Sequence, residues 1–271
     1  MGHPMQRMGH PIYGRDDVRG EVMKKAVWNL AFYGAVAAAW FVVARARGGA
    51  FPAPGDVLRA LRAGFADGSL WVAFGASLRR VAIGYAISVV LGVALGVVIC
   101  SSEFMEQTVG GLLTSLQSLP SVCWLPLAVL WFGSSEKAIL FVIVMGSVLS
   151  ITISMEAGRK QIPAIYSMAG RNLGAHGWKL FAYVLFPAGM PYLVSGLKQG
   201  WAFALRGLIA GEMIFATFGL GQQLMAGRGR NDMGLVVAVM LLILALGWMV
   251  DFTIFRGLER RMRAKWGLAG A

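Results

Sequence analysis

The chain has 271 residues, of which 57% are hydrophobic and only 14% are charged, and it contains 36 glycines. This composition excludes an ordinary water-soluble domain and is typical of an integral membrane protein. The net charge of +12 does not indicate nucleic-acid binding, because the basic residues are spread over the flanks of apolar segments, where lipid headgroups are the expected partner.

Six segments are long and apolar enough to be transmembrane helices, which need about 20 mostly apolar residues. They cover residues 26–44, 81–100, 109–132, 138–155, 188–215 and 233–250. The sequence therefore predicts an all-α membrane protein, with a tail at 1–25, a six-helix domain at 26–256 and a basic tail at 257–271.

The distribution of Lys and Arg predicts the orientation. With six spans both termini lie on one side, and placing them inside puts the larger share of basic residues in the cytoplasm. Arg45 and Arg47, just beyond the first span, oppose this assignment. We expect both termini in the cytoplasm of a bacterium, and the protein in its plasma (inner) membrane.

Two patterns precede the third span. Val57, Leu61 and Phe65 recur every four residues after a Pro/Gly turn, which predicts a short amphipathic helix along the outer membrane surface. In the second span small residues recur at the same interval, and such a stripe lets another helix approach closely. They are Gly84, Ser88, Gly92 and Gly96. The alternative is that glycine is simply common in membrane helices.

The third span contains Pro120 and Pro126, which predict a break or kink because proline lacks a backbone donor. Polar or aromatic residues near this break, together with one serine of the fourth span, are candidates for lining a translocation path. They are Gln117, Ser121, Trp124 and Ser150. Hydrogen bonding between helices is the alternative role.

Residues 157–187 form a polar segment between the fourth and fifth spans. Pro163 can begin a helix that ends at Gly174, and a second amphipathic helix is expected from Gly177 to Pro187, with Trp178 and Phe181 as anchors. The segment is cytoplasmic by the orientation above. It is either a docking element or an ordinary interfacial loop.

The fifth span carries Lys198, Arg206 and Glu212, and charges within a span usually face a cavity or a partner. Arg206 can attract a passing anion, or it can form a fixed ion pair for which Glu212 is a candidate. Glu212 is also a candidate gate residue. Lys198 is expected to extend toward the cytoplasmic surface.

The sequence contains no phosphate-binding G-x-x-x-x-G-K-[ST] loop, so any ATP must be bound by another polypeptide. It shows neither a catalytic constellation nor a metal motif, and Cys100 and Cys123 lie within spans. We therefore expect neither enzymatic activity nor a cofactor. A self-contained secondary transporter is the alternative class, although no inverted repeat is visible.

The segment SMAGRNLGAHGWKLFAYVLFPAGMPYLVSGLKQG resembles the cytoplasmic signature loop of permease subunits of ABC importers. In that loop Glu-Ala-Ala is followed by three residues, a glycine and a downstream Leu-Pro-like step. Gly174 is at the glycine position, Ala169 and Gly170 are at the two alanine positions, and Met168 replaces the glutamate. LPSVCWLPLAVLWFGSSEKAIL, FPAPGDVLRAL and GLERRMRAKWG resemble segments of the nitrate, sulfonate and taurine subfamily.

The resemblance implies a type I importer permease that transports a small anionic solute such as a sulfonate, taurine, nitrate or bicarbonate. Its implied partners are a second copy of the permease, a cytoplasmic ABC ATPase dimer and an external solute-binding protein. The loop residues implied to couple to the ATPase are Met168, Ala169, Gly170, Arg171, Gly174, Ala175, Trp178 and Pro187.

Overall fold

The computed structural model describes residues 15–46, 51–100, 102–215 and 218–265. Within these ranges the secondary structure is helical, and no strand occurs. Part of the predicted tail at 1–25 is helical, and its residues 1–14 lie outside the described residues. The helices are α1 Arg15–Ala46, α2 Pro54–Ala66, α3 Ser69–Cys100, α4 at 103–117, α5 Ser121–Phe132, α6 Glu136–Gln161, α7 Ala164–Asn172, α8 Trp178–Phe215, α9 Leu220–Gly229 and α10 at 233–265.

Five of these helices, α1, α3, α6, α8 and α10, are long and apolar enough to cross a membrane, and the bent pair α4–α5 raises the number to six. The predicted all-α membrane fold is therefore confirmed. Several helices extend beyond the apolar segments read from the sequence. α3, for example, begins at Ser69 rather than at residue 81, because Arg79 and Arg80 limit the apolar segment but, as good helix formers, do not end the helix.

The third predicted span, 109–132, is two helices and not one continuous helix. α4 and α5 meet at an angle of 100°, with Pro120 at the start of α5 in an extended conformation (φ −55°, ψ 142°). The break predicted at Pro120 is thus confirmed. Its extent follows from the missing proline donor and from the steric restriction that proline imposes on Leu119.

The described residues form two compact units, one up to Asp56 and one from Val57 onward. In the first unit, the Trp40 indole N–H donates to the Pro52 carbonyl at 3.0 Å. α2 begins at Pro54, where a missing N–H costs nothing, and the Asp56 carboxylate accepts a hydrogen bond from the Ala53 N–H at 3.0 Å.

In the second unit the predicted helix with Val57, Leu61 and Phe65 is present as α2, and Val57 is buried. Leu61 and Phe65 pack against a core cluster of α3, α9 and α10. The turn between α2 and α3 is fixed by the Asp67 carboxylate, which accepts from the Ser69 N–H at 2.8 Å. This hydrogen bond lowers the pKa of Asp67.

α6 is the central helix, and the small-residue stripe of α3 packs along it as predicted. A Cβ added at Gly84 would lie 2.7 Å from Ile143, and one at Gly96 would lie 2.7 Å from Met155. Between these two contacts, Ser147 of α6 donates to the Ser88 hydroxyl at 2.7 Å. The contacts advance in the same direction along both helices, so α3 and α6 are parallel.

A second glycine stripe lines α8 and also packs against α6. A Cβ at Gly200 would lie 2.9 Å from Ile151, and one at Gly207 would lie 2.9 Å from the Val142 carbonyl oxygen. These contacts run in opposite directions along the two helices. α6 and α8 are therefore antiparallel and closely packed, with residues 162–177 connecting them at one end.

Candidate translocation cavity and coupling loop

A cavity of about 490 Å³ lies where the α4–α5 break faces α6 and α8. Gln117, Ser121 and Arg206, three of the six predicted path residues, line it together. Gly146 of α6 makes room for this arrangement, because a Cβ there would lie 3.3 Å from the Phe203 carbonyl oxygen and 3.4 Å from the Ser121 Cβ. We call this space the path cavity.

Arg206 is the charged group of the path cavity. Its guanidinium carbon lies 5.2 Å from the centre of the Phe203 ring, one helical turn earlier, which is a cation–π distance. The side chain is exposed, and no carboxylate of the described residues forms an ion pair with it. The guanidinium donors thus stay available to an anion within the cavity.

The other three predicted path residues lie apart from this cavity. Ser150 is buried where α6 packs against α8, and Trp124 is half-buried in α5 without lining the cavity. Glu212 is completely buried and does not pair with Arg206. Six residues on one helix correspond to a rotation of about 240°, so the two side chains leave α8 on different faces.

Glu212 instead belongs to a cluster that joins three long helices. Its Oε1 lies 2.9 Å from Arg80 Nη1, while Arg80 Nη2 lies 3.0 Å from Glu136 Oε1. The Ser77 hydroxyl donates to the Glu212 carboxylate at 2.7 Å. We call Ser77, Arg80, Glu136 and Glu212 the Arg80 bridge. The sequence analysis missed it because its members are distant in sequence, and only the intramembrane Glu212 gave a signal.

Lys198, expected to extend toward the membrane surface, is held by carboxylates. Its Nζ lies 2.9 Å from Asp251 Oδ1 and 3.6 Å from Glu259 Oε1, both on α10. The expectation was incomplete because it considered the apolar stem alone, whereas α10 continues past Val250 and brings two acidic residues to α8.

Residues 157–187, which we call the coupling loop after the role that the resemblance implies, contain the helix predicted between Pro163 and Gly174. α7 ends in a Schellman motif, in which Ala175 N–H donates to the Gly170 carbonyl at 2.9 Å and Gly174 N–H donates to the Arg171 carbonyl at 2.9 Å. Gly174 has a φ of +83°, a conformation that favours glycine. The predicted glycine elbow is confirmed.

The second part of the coupling loop differs from the prediction, because Pro187 does not end a helix. α8 runs from Trp178 to Phe215, with a π-helical turn at Phe181–Leu185 in which Phe186 N–H donates to the Phe181 carbonyl. Such a turn leaves a carbonyl without its usual donor. A proline, which has no N–H, is therefore accommodated directly after it.

The contact between the two parts of the loop also differs from the prediction. Leu180 and Val184 pack against Gly170, where an added Cβ would lie 2.6 Å and 3.1 Å from them. Trp178 stacks beside Phe181 at 5.3 Å but is 69% exposed, so it is not an internal anchor. Because Gly170 leaves space on α7, Leu180 packs there instead of the larger aromatic residues.

The rest of the coupling loop contains large apolar side chains that no other part of the described chain covers. Leu173 is 89% exposed and Met168 is 60% exposed, and Ala169, Arg171 and Gly174 are also exposed. Ala175 and Pro187 are half-buried, and Gly170 is buried. A cluster of exposed apolar residues on a structured loop is typical of an interaction surface.

Membrane-length helices, a cavity that contains Arg206 and a structured loop between two of the helices are consistent with a membrane-transport component. The family model described as "Binding-protein-dependent transport system inner membrane component" matches residues 72–264. The chain therefore belongs to this family, whose members include the permease subunits of ABC importers.

Curated relatives agree with this assignment. The chain is 31% identical over 191 residues to the nitrate import permease protein NrtB of Synechocystis sp., covering 67% of this chain and 70% of the relative. It is 27% identical to the taurine transport system permease protein TauC of Escherichia coli, covering 78% of each chain. It is also 27% identical to the bicarbonate transport system permease protein CmpB of Synechococcus elongatus, covering 70% and 68%.

Among solved structures, a chain of the MetNI methionine ABC transporter in an inward-facing conformation matches with a TM-score of 0.57. The sequence identity is 21%, and the match covers 69% of this chain and 92% of that chain. The fold is thus that of a type I ABC importer permease. Family membership implies an ATPase and a solute-binding protein as partners, and an inner-membrane location.

Proposed function

We propose that the chain forms the translocation path of an ATP-driven importer for a small anionic solute, such as a sulfonate, taurine, nitrate or bicarbonate. The observation that carries this proposal is the placement of Arg206 in the path cavity without a carboxylate partner. An unpaired guanidinium within a span is costly, about 2.5 to 3.5 kcal/mol on insertion scales, unless water or an anion solvates it.

The polar groups of the path cavity are suited to binding an anion. Arg206 offers a planar set of donors that matches carboxylate, sulfonate or nitrate oxygens. Gln117 and Ser121 add an amide and a hydroxyl, and none of the described residues that line the cavity is acidic. A cationic solute would find no countercharge there.

ATP hydrolysis is proposed to act through the coupling loop. The exposed side chains of Met168, Leu173 and Trp178 form the surface that docks a cytoplasmic ATPase subunit. The packing of Leu180 against Gly170 makes the loop one body with the start of α8. In the proposed assembly two copies of this chain, with both termini in the cytoplasm, bind an ATPase dimer and receive solute from an external binding protein.

Substitution of Arg206 tests the anion path. The permease is reconstituted in proteoliposomes with its ATPase and solute-binding protein, and uptake of labelled nitrate, taurine or bicarbonate is measured. We expect Arg206→Gln to slow uptake about ten- to a hundredfold, the equivalent of one lost charge-assisted hydrogen bond, while the ATPase stays bound. Arg62→Gln, a change at an exposed arginine of α2, is the matched control.

Two outcomes would contradict the proposal. Wild-type uptake by Arg206→Gln would remove the guanidinium from the path. Uptake by the purified chain alone, driven by an ion gradient in ATP-free vesicles, would instead support the self-contained secondary transporter.

A further inference from the structure

The Arg80 bridge lies at the end of the α6–α8 pair that is opposite the coupling loop. Glu136 is the first residue of α6 and Glu212 lies near the end of α8, whereas the loop connects Gln161 to Trp178. Because the two helices are antiparallel, their free ends are neighbours. Arg80 of α3 contacts both of these ends, at 3.0 Å and 2.9 Å.

The bridge also holds the chain segment that follows α8. Arg80 Nη1 donates to the Phe218 carbonyl, Leu220 N–H donates to Ser77 Oγ at 2.8 Å, and Gly221 N–H donates to Glu212 Oε2 at 3.0 Å. Gly219 has a φ of +149°, and a Cβ there would lie 2.5 Å from the Glu212 carboxyl carbon. The main chain at Gly219 is therefore in direct contact with the Glu212 carboxylate.

The burial of Arg80 and Glu212 indicates that the ion pair fixes the relative position of the helices rather than adding net stability. The side chain of Arg80 is 7% exposed and that of Glu212 is 0% exposed. Desolvating two charges offsets most of their attraction, so a buried ion pair contributes little net stability compared with apolar packing. What the planar guanidinium supplies is a fixed geometry between two carboxylates on different helices.

The neighbouring residue Arg79 offers a comparison, because it also pairs with Glu136 but does not belong to the Arg80 bridge. Its Nη2 also lies 2.9 Å from Glu136, but its side chain is 61% exposed and forms no contact with Glu212. An exposed ion pair of this kind restrains neither helix strongly. The two adjacent arginines therefore form a matched pair for experiment.

We propose that Arg80 is a positioning residue of the transport cycle, which fastens the free ends of α6 and α8 to α3 so that the three helices move as one body. This inference rests on the proposed function, in which an ATPase displaces the coupling loop. A displacement at the loop end then reaches Arg206 in the path cavity, because packed helices shift as rigid elements rather than deform.

The test measures how many ATP molecules are hydrolysed for each solute molecule taken up, in the reconstituted complex with ATPase and solute-binding protein. Arg80→Lys keeps the charge but presents a single ammonium, which cannot hold both carboxylates in a fixed geometry. We expect ATP use per solute to rise on the order of tenfold, with basal ATP hydrolysis unchanged. Arg79→Lys is the control and keeps the wild-type ratio.

A second variant tests the same ion pair from the α8 side, and monodisperse elution in detergent is the check that each variant has folded. Glu212→Gln has nearly the same shape and retains an oxygen acceptor for Ser77 and Gly221, but it removes the charge that faces Arg80; the same rise in ATP use is expected. A wild-type ratio in both Arg80→Lys and Glu212→Gln would overturn the inference. Release of the ATPase by Arg80→Lys would also overturn it, because the bridge is at the end remote from the loop.

Failure of the proposed function gives a different result. If the wild-type chain retains no ATPase on purification, the docking role of the coupling loop is wrong. If the ATPase is retained but Arg80→Lys and Glu212→Gln keep the wild-type number of ATP molecules hydrolysed per solute, the importer assignment stands and the positioning role of Arg80 is wrong.

Discussion

The guanidinium of Arg80 lies 2.9 Å from the carboxylate of Glu212, although 132 residues separate them in the chain. Both side chains are withdrawn from solvent. Removing one member of such a pair leaves the other as an uncompensated buried charge, and this relationship leads to the first prediction.

Arg80→Met is expected to destabilise the folded permease by about 3 to 5 kcal/mol, the usual cost of breaking a buried pair from one side. Arg79→Met removes an exposed pair and is expected to cost less than about 1 kcal/mol. The measurement is the midpoint of heat-induced loss of monodisperse protein in detergent. Equal midpoints for the two variants would show that the buried ion pair of Arg80 contributes no more to stability than the exposed ion pair of Arg79.

Gly207→Ala is expected to weaken the packing of α8 on α6. An added Cβ would lie 2.9 Å from the Val142 carbonyl oxygen and 3.2 Å from Ile143 Cα, and backbone atoms cannot turn aside as a side chain can. We expect a loss of about 1 to 3 kcal/mol in stability, the usual cost of overpacking. The matched control is Gly75→Ala in α3, where nothing lies within 4 Å of the added carbon. An unchanged midpoint for Gly207→Ala would contradict the close approach of the two helices.

Gly174→Val is expected to disturb the elbow of the coupling loop, because the positive φ at this position is unfavourable for a β-branched residue. The strain is about 1 to 2 kcal/mol, and we expect the variant to retain less ATPase on purification. Gly174→Asn is the control, since asparagine adopts this conformation more readily than other residues with a side chain. Greater loss of ATPase with Asn than with Val would argue against a role for the elbow conformation.

The local features of the coupling loop and of α3 were predictable from the sequence. Proline at helix starts and glycine at helix ends act through neighbouring backbone atoms, and a small residue at every fourth position marks one face of a helix, so each signal is contained in a short stretch of sequence. The break at Pro120 and the elbow at Gly174 were found in this way. The stripe on α8 follows the same rule, although charged residues lie between its glycines in the sequence.

The contacts that long-range packing determines were not predictable. The role of Arg80 is one example, because nothing in a single sequence indicates that α3 brings its guanidinium between two distant carboxylates. Of the two roles left open for Arg206, the ion pair with Glu212 does not form, because their spacing places the two side chains on different faces of one helix. Pro187 was misread as a stop, since a π-helical turn gives no recognisable sequence signal.

The most direct test of the account is whether the exposed residues of the coupling loop hold an ATPase. The tagged permease is expressed with its ATPase, solubilised and purified, and the amount of ATPase that elutes with it is measured for wild type and for Leu173→Gln combined with Trp178→Gln. Both side chains are largely exposed, at 89% and 69%, so the substitutions leave the helix packing intact. The account predicts that the wild type retains the ATPase and that the double variant, with an unchanged thermal midpoint, loses most of it; full retention by the double variant would contradict it.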